Sequence, residues 1–130
     1  MIQSMKHFAP LLLGVLAWAV QSPAGQPVFA CNLKAFQSDE RKIHDRLTGQ
    51  LKSGAIARRE LPDGYSFQMD PGKVSIAQLA EWTVLERKCC PFFDYQLDLR
   101  NEENTLWFTL KGREGVKKFI ALEVPWAQAK

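Results

Sequence analysis

The chain has 130 residues, 46% of them apolar and 11% aromatic, with 17 Lys+Arg against 14 Asp+Glu. That length leaves room for one domain, and a charged fraction of 24% excludes both a disordered tail protein and a collagen-like repeat. The formal charge of +3 is small and dispersed, so the chain carries no nucleic-acid footprint.

The first thirty residues read as an export signal. Lys6 and His7 precede an apolar run from Phe8 to Val20, and Gln21 to Pro27 breaks it with polar residues and two prolines. The run is shorter than the roughly 20 residues a membrane-spanning helix needs, so no stable membrane span is expected. Val28-Phe29-Ala30 places modest side chains at the −3 and −1 positions of a cleavage site, which predicts a mature domain over 31–130 that begins at Cys31. That domain would be periplasmic or extracellular. Acylation of Cys31 as a lipoprotein is the lesser alternative, since Phe29 is bulky for that signal.

Along the mature chain, Ser38 as N-cap, Asp39 and Glu40 in the first turn, and Ile43, Leu47 and Leu51 every four residues predict an amphipathic helix over 38–53. Two strand-like runs, Ile56 to Leu61 and Tyr65 to Met69, flank Pro62-Asp63-Gly64 and predict a hairpin. Ser75 and Gln78 have the spacing of a capping box that opens a second helix, from Ile76 to about Cys89, which Pro91 stops. Phe93 to Leu99 alternates apolar and polar residues as a half-buried strand does, and Thr105 to Lys111 is its return. Val116, Phe119 and Ile120 give a short third helix an apolar stripe. The Gly112-Arg113-Glu114-Gly115 stretch before it reads as a strand-to-helix turn rather than an anion site.

The order α-β-β-α-β-β-α predicts an α+β fold: a single two-layer domain with four antiparallel strands and three helices. It also hints at two helix-and-hairpin units in tandem.

The stretch Glu86 to Phe93 is the least ordinary. Helical projection places Ile76, Leu79, Ala80 and Thr83 on one face, with Glu86, Arg87 and Cys90 on or beside it and Cys89 next to Trp82. Charges turned toward a core need partners, so Glu86 and Arg87 are either a structural ion pair or part of a site. Adjacent thiols form a soft donor pair, suited to Hg(II), Cu(I), Zn(II) or an arsenite-like metalloid, and Arg87 and Lys88 could tune the thiolates.

Two sulfurs are too few for a closed zinc site, and Cys31 or His44 adds a third donor only if the fold brings it near. His44 itself reads as a boundary residue of the first helix. Free cysteines are also good core residues, and export favours a disulfide. A bridge from Cys31 to one of the pair is sterically easier than a bond between the neighbours. Cys90 is expected to matter more to the fold than Cys89. The sequence contains no G-x-S-x-G element, no H-E-x-x-H pair and no readable Ser/His/Asp order, so it specifies no reaction.

Leu61-Pro62-Asp63-Gly64-Tyr65, Glu86-Arg87-Lys88-Cys89-Cys90-Pro91-Phe92-Phe93 and Leu110-Lys111-Gly112-Arg113-Glu114-Gly115-Val116-Lys117 resemble a group of small exported bacterial proteins of unassigned function. The resemblance covers most of the mature domain and implies no activity. The cysteine pair is also similar to the dithiols of mercury-transport membrane proteins, whose membrane helices this chain lacks.

Two functions follow as expectations. The first is a cell-envelope thiol module that binds a soft metal or metalloid, or exchanges thiols, through Cys89 and Cys90 with Glu86 and Arg87 beside them. The second is a non-enzymatic interaction or small-ligand module in which the cysteine pair is structural.

Overall fold

The computed structural model describes residues 29–128. The segment expected to be an export signal, apart from Phe29 and Ala30, lies outside the described residues, as do the last two residues of the predicted domain. Among the described residues, no helix is long and apolar enough to cross a membrane.

A 3-10 turn at Leu33–Ala35 leads into α1 (Ser38–Gly54), followed by β1 (Ala55–Leu61), β2 (Gly64–Met69), α2 (Ile76–Cys89), β3 (Asp94–Arg100), β4 (Thr105–Lys111) and α3 (Val116–Glu123). The predicted α-β-β-α-β-β-α order is therefore the observed one. A closing 3-10 turn at Pro125–Gln128 completes it.

Local chemistry explains the helix ends. At α1 the N-cap is Gln37 rather than Ser38, because Glu40 reaches back to accept from the Gln37 N–H at 3.1 Å. At α2 the Ser75–Gln78 capping box is complete in both directions, at 2.9 and 3.2 Å. At α3 the N-cap is Gly115 with φ of 91°, and a Cβ there would also press on the Phe29 ring. Glycine satisfies both demands, so the Gly-Arg-Glu-Gly stretch is a strand-to-helix turn, as its sequence suggests.

The sheet order is β1-β2-β4-β3, antiparallel throughout. Two hairpins thus meet along β2 and β4, with Phe67 opposite Phe108 at the seam. Tyr65, Phe67, Met69, Leu106, Phe108 and Leu110 alternate onto one face, and all are buried. Leu47 and Leu51 from α1, Leu79, Trp82 and Leu85 from α2, and Val116 and Ile120 from α3 join them in one core.

Trp82 is its centre. Its ring meets Phe108 and Trp126 edge-on at 5.6 and 4.8 Å, and its indole N–H donates to Thr48 Oγ1 at 3.0 Å. Fully burying such a ring removes more apolar surface than any aliphatic residue on α2 can, which decides the orientation of that helix.

Candidate functional site

The core face of α2 is Leu79, Trp82, Leu85, Glu86 and Cys89. It lies roughly one residue's rotation, about 100°, from the face expected around Ile76, Ala80 and Thr83. Ile76 and Ala80 are exposed and Thr83 is half-buried, because the larger Trp82 and Leu85 take the interior. Two consequences for the expected site residues follow. Cys89 is on the core face and only 1% exposed, not at its edge. Arg87, expected on or beside the buried face, is exposed.

Glu86 is buried, and its partner comes from the other helix. His44 Nε2 and Glu86 Oε2 lie 2.5 Å apart between α1 and α2. His44 is buried rather than at a boundary, its ring stacked on Trp82 at 5.8 Å and against Phe36 at 4.8 Å. The signal was present in the sequence: His44, Leu47, Leu51 and Gly54 follow a three-four-three spacing, which marks a helix face as well as the four-residue stripe through Ile43 does.

The helix ends at Cys90, whose backbone N–H still donates to the Glu86 carbonyl at 2.8 Å. Pro91 prevents continuation. Cys31 and Cys90 form a disulfide, with Cα atoms 4.6 Å apart, and the Asn32 N–H donates to the Cys89 carbonyl at 2.8 Å. The segment before α1 is thereby laid across the end of α2. Cys90 is accordingly not a free thiol beside Cys89, so the expected two-sulfur dithiol is not the arrangement found. Of the two pairings open to Cys31, the bridge to Cys90 is the one formed.

Cys89 is the free cysteine. Its thiol donates to the Glu86 carbonyl at 3.3 Å and to Glu86 Oε2 at 3.7 Å, and its sulfur lies 3.5 Å from Cys90 Sγ. Burial pushes the Cys89 thiol up to about 12, and the neighbouring Glu86 carboxylate adds to the shift. Arg87 and Lys88 do not tune it as expected: Arg87 turns to solvent and Lys88 pairs with Glu40 across the helices.

Cys31, Glu86, Cys89 and Cys90 therefore offer three sulfurs and a carboxylate oxygen within 4.8 Å of one another. Glu86 and Cys89 lie in the last turn of α2 and Cys90 caps it, while Cys31 is contributed from 59 residues earlier than Cys90. The cluster forms part of the wall of a cavity of about 680 Å³ that also involves Phe29, Leu33, Trp82, Phe119 and Trp126. His44 Nδ1 and Trp126 Nε1 are buried there without hydrogen-bond partners. Compared with protein-family models, with curated proteins and with solved structures, the chain gives no match, so its functional reading rests on this geometry.

Proposed function

We propose that the chain is an exported thiol centre that holds a soft metal ion or a metalloid in its reduced state. The observation that carries this reading is the convergence of three sulfurs and one carboxylate oxygen within 4.8 Å. Sulfur donors select soft and borderline acceptors, and three thiolates fit trivalent arsenic or a trigonal soft cation, with Glu86 as a fourth donor for zinc. Cys89 and Cys90 keep the roles the sequence suggested, and Cys31 completes the set. Arg87 has no part in it.

In the oxidised state the Cys31–Cys90 bond withholds two of the three sulfurs. Loading then requires a reductant that supplies two electrons as the disulfide opens: a phosphine, which becomes its oxide while water provides the oxygen and the two thiol protons, or two thiols, which give up their protons and leave as a disulfide. Ligation would release the protons again, since thiolate is the binding form.

Titration of the reduced chain with Hg(II), followed by ultraviolet thiolate absorption and native mass, tests the proposal. One ion per chain is expected, with binding weakened at least tenfold in each of Cys31→Ser, Cys89→Ser and Cys90→Ser. Failure of the reduced chain to bind, or binding by all three variants as tight as that of the unsubstituted chain, would overturn it. The export component is tested by the mass of the protein from a native-like host, where an N-terminus at Cys31 is expected. That cleavage would remove Phe29, whose ring packs against Phe92 at 5.0 Å and Phe119 at 6.3 Å.

A second reading has its own supporting observation. The disulfide pins the N-terminal segment to α2, and Cys89 is buried and held protonated, as a packing residue would be. In that case the cysteines are structural, and the cavity belongs to a non-enzymatic small-ligand module. The Hg(II) titration separates the two.

A further inference from the structure

A bare ion needs only its donor atoms, and these are a minority of the residues that line the cavity. The remaining space is a recess on the scale of small-molecule sites, which run from roughly 300 to 1,000 Å³. The whole cavity measures about 680 Å³ with Phe29 and Ala30 in its wall, and cleavage before Cys31 would open it on that side.

The character of the recess follows from how its polar groups are already used. Thr48 accepts from the Trp82 indole, His44 pairs with Glu86, and Arg41 donates to Asp45 at 3.0 Å. Two ring nitrogens, His44 Nδ1 and Trp126 Nε1, make no hydrogen bond, and the remaining charged group of the lining, Glu123, is exposed and keeps its hydration. A charged or heavily hydroxylated body would lose more hydration on entering than these can replace. Leu33, Phe119, Val124, Trp82 and Trp126 instead offer apolar and aromatic surface, and Leu33 is 48% exposed at residue level, accessible to a ligand from outside.

Resting on the soft-centre reading, we propose that the ligand is an organo-element compound: a thiophilic atom seated on the sulfurs and carrying an aryl-sized apolar substituent that fills the recess. For a trivalent arylarsenical the step balances without redox change at arsenic. One aryl–As=O reacts with the Cys31 and Cys90 thiols to give aryl–As bonded to both sulfurs. The two thiol protons leave with the oxo oxygen as one water. Cys89 keeps its proton and its bond to Glu86. Inorganic arsenite differs, because As(OH)3 uses all three thiols and releases three waters. Cys89 thus distinguishes the two ligands, and Leu33 reports on the substituent.

The test uses the full chain, reduced with a phosphine and freed of it under argon, with phenylarsine oxide and arsenite as probes. The affinity ratio of phenylarsine oxide to arsenite should exceed that of free dithiothreitol by about tenfold or more. Leu33→Ala should lower phenylarsine oxide affinity about tenfold and leave arsenite unchanged, and Leu33→Met should restore it. Cys89→Ser should weaken arsenite at least tenfold and spare phenylarsine oxide.

A ratio equal to that of dithiothreitol, or one unmoved by Leu33→Ala, overturns the organic-substituent proposal while leaving a soft-ion centre intact. Absence of binding by either probe overturns both. Tight phenylarsine oxide binding by a reduced chain whose far-ultraviolet spectrum has lost its native form also overturns the proposal, because the recess would then have no part in it.

Discussion

The two helix-and-hairpin halves share one plan and differ at one junction. In the first, α1 passes directly into β1, with Gly54 closing the helix and Ala55 opening the strand. Gly54 is buried so tightly that a Cβ would overlap the Val74 side chain, and its carbonyl accepts the Asp70 N–H at 2.8 Å. In the second, four residues, Cys90-Pro91-Phe92-Phe93, separate α2 from β3. That added length carries Cys90, which forms the disulfide, belongs to the sulfur cluster and lines the cavity. The difference teaches where chemistry can be placed on such a scaffold: at the junction released from close packing, while its counterpart is reduced to a glycine.

The largest effect expected on breaking this comparison is at the disulfide. It closes a loop of 59 residues, for which loop entropy gives a stabilisation of about 4 kcal/mol. Cys31→Ser and Cys90→Ser should therefore lower the stability measured by denaturant titration by similar amounts, and the double variant should be no worse than either. Cys89→Ser should cost about 1 kcal/mol, since a hydroxyl can still donate to the Glu86 carbonyl. The expectation that Cys90 outweighs Cys89 is kept, with a different cause: the cross-link, not a buried thiol packed against Leu79 and Thr83. Equal midpoints for Cys89→Ser and Cys90→Ser would remove this distinction.

Gly54→Ala strikes the corresponding junction of the first half. The added methyl has nowhere to go except into Val74, and overpacking of this kind costs roughly 1–3 kcal/mol. Val74→Ala in the same chain should recover part of that loss by making space. Full additivity of the two substitutions would show that the close approach is not what constrains this junction.

How much of this was legible in the sequence follows from how local each signal is. The strands, both hairpins and the α2 boundaries are written in period-two alternation, in Pro62-Asp63-Gly64 and in the Ser75–Gln78 box, all of which act over a few residues. The rotation of α2 is not local. It is set by Trp82 finding Phe108 and Trp126, 26 and 44 positions later in the chain, and the pattern of α2 alone, which centres the buried face near Ile76 and Ala80, turns Arg87 inward instead. The pairing of His44 with Glu86 is non-local in the same way. Cys89 and Cys90 announced themselves as neighbours, whereas the third sulfur required knowing that the segment before α1 crosses the end of α2.

Alkaline pH sharpens the comparison, because Cys89 and Tyr95 both belong to the second half. Burial raises the Cys89 thiol from an ordinary value near 9 to about 12, and burial raises the Tyr95 phenol as well, with the Glu86 charge adding to each. Above pH 9 the unfolded chain releases the Cys89 proton and the folded one retains it, so stability falls as pH rises. The Cys89 contribution is fully present below pH 9 and is lost progressively as the pH approaches about 12. Tyr95 adds to the slope above about pH 10. Denaturant midpoints measured from pH 8 to 11 should decline more gently in Cys89→Ala, and more gently still with Tyr95→Phe. A decline identical in wild type and Cys89→Ala would place the alkaline sensitivity elsewhere.

The smallest expected effect uses the glycine five residues before Gly54. Gly49 lies on the exposed side of α1, and a Cβ there would meet nothing within 4 Å. Its cost is conformational only: glycine in a helix interior gives up more backbone freedom on folding than alanine does. Gly49→Ala should raise stability by roughly 0.5–1 kcal/mol. Gly54→Ala brings the same propensity gain at the last position of the same helix, so the difference between the two variants isolates the packing against Val74 from the propensity of the residue. A destabilised Gly49→Ala would mean that the exposed side of α1 is in contact with something, and the first half would no longer be the bare scaffold against which the cysteine junction is compared.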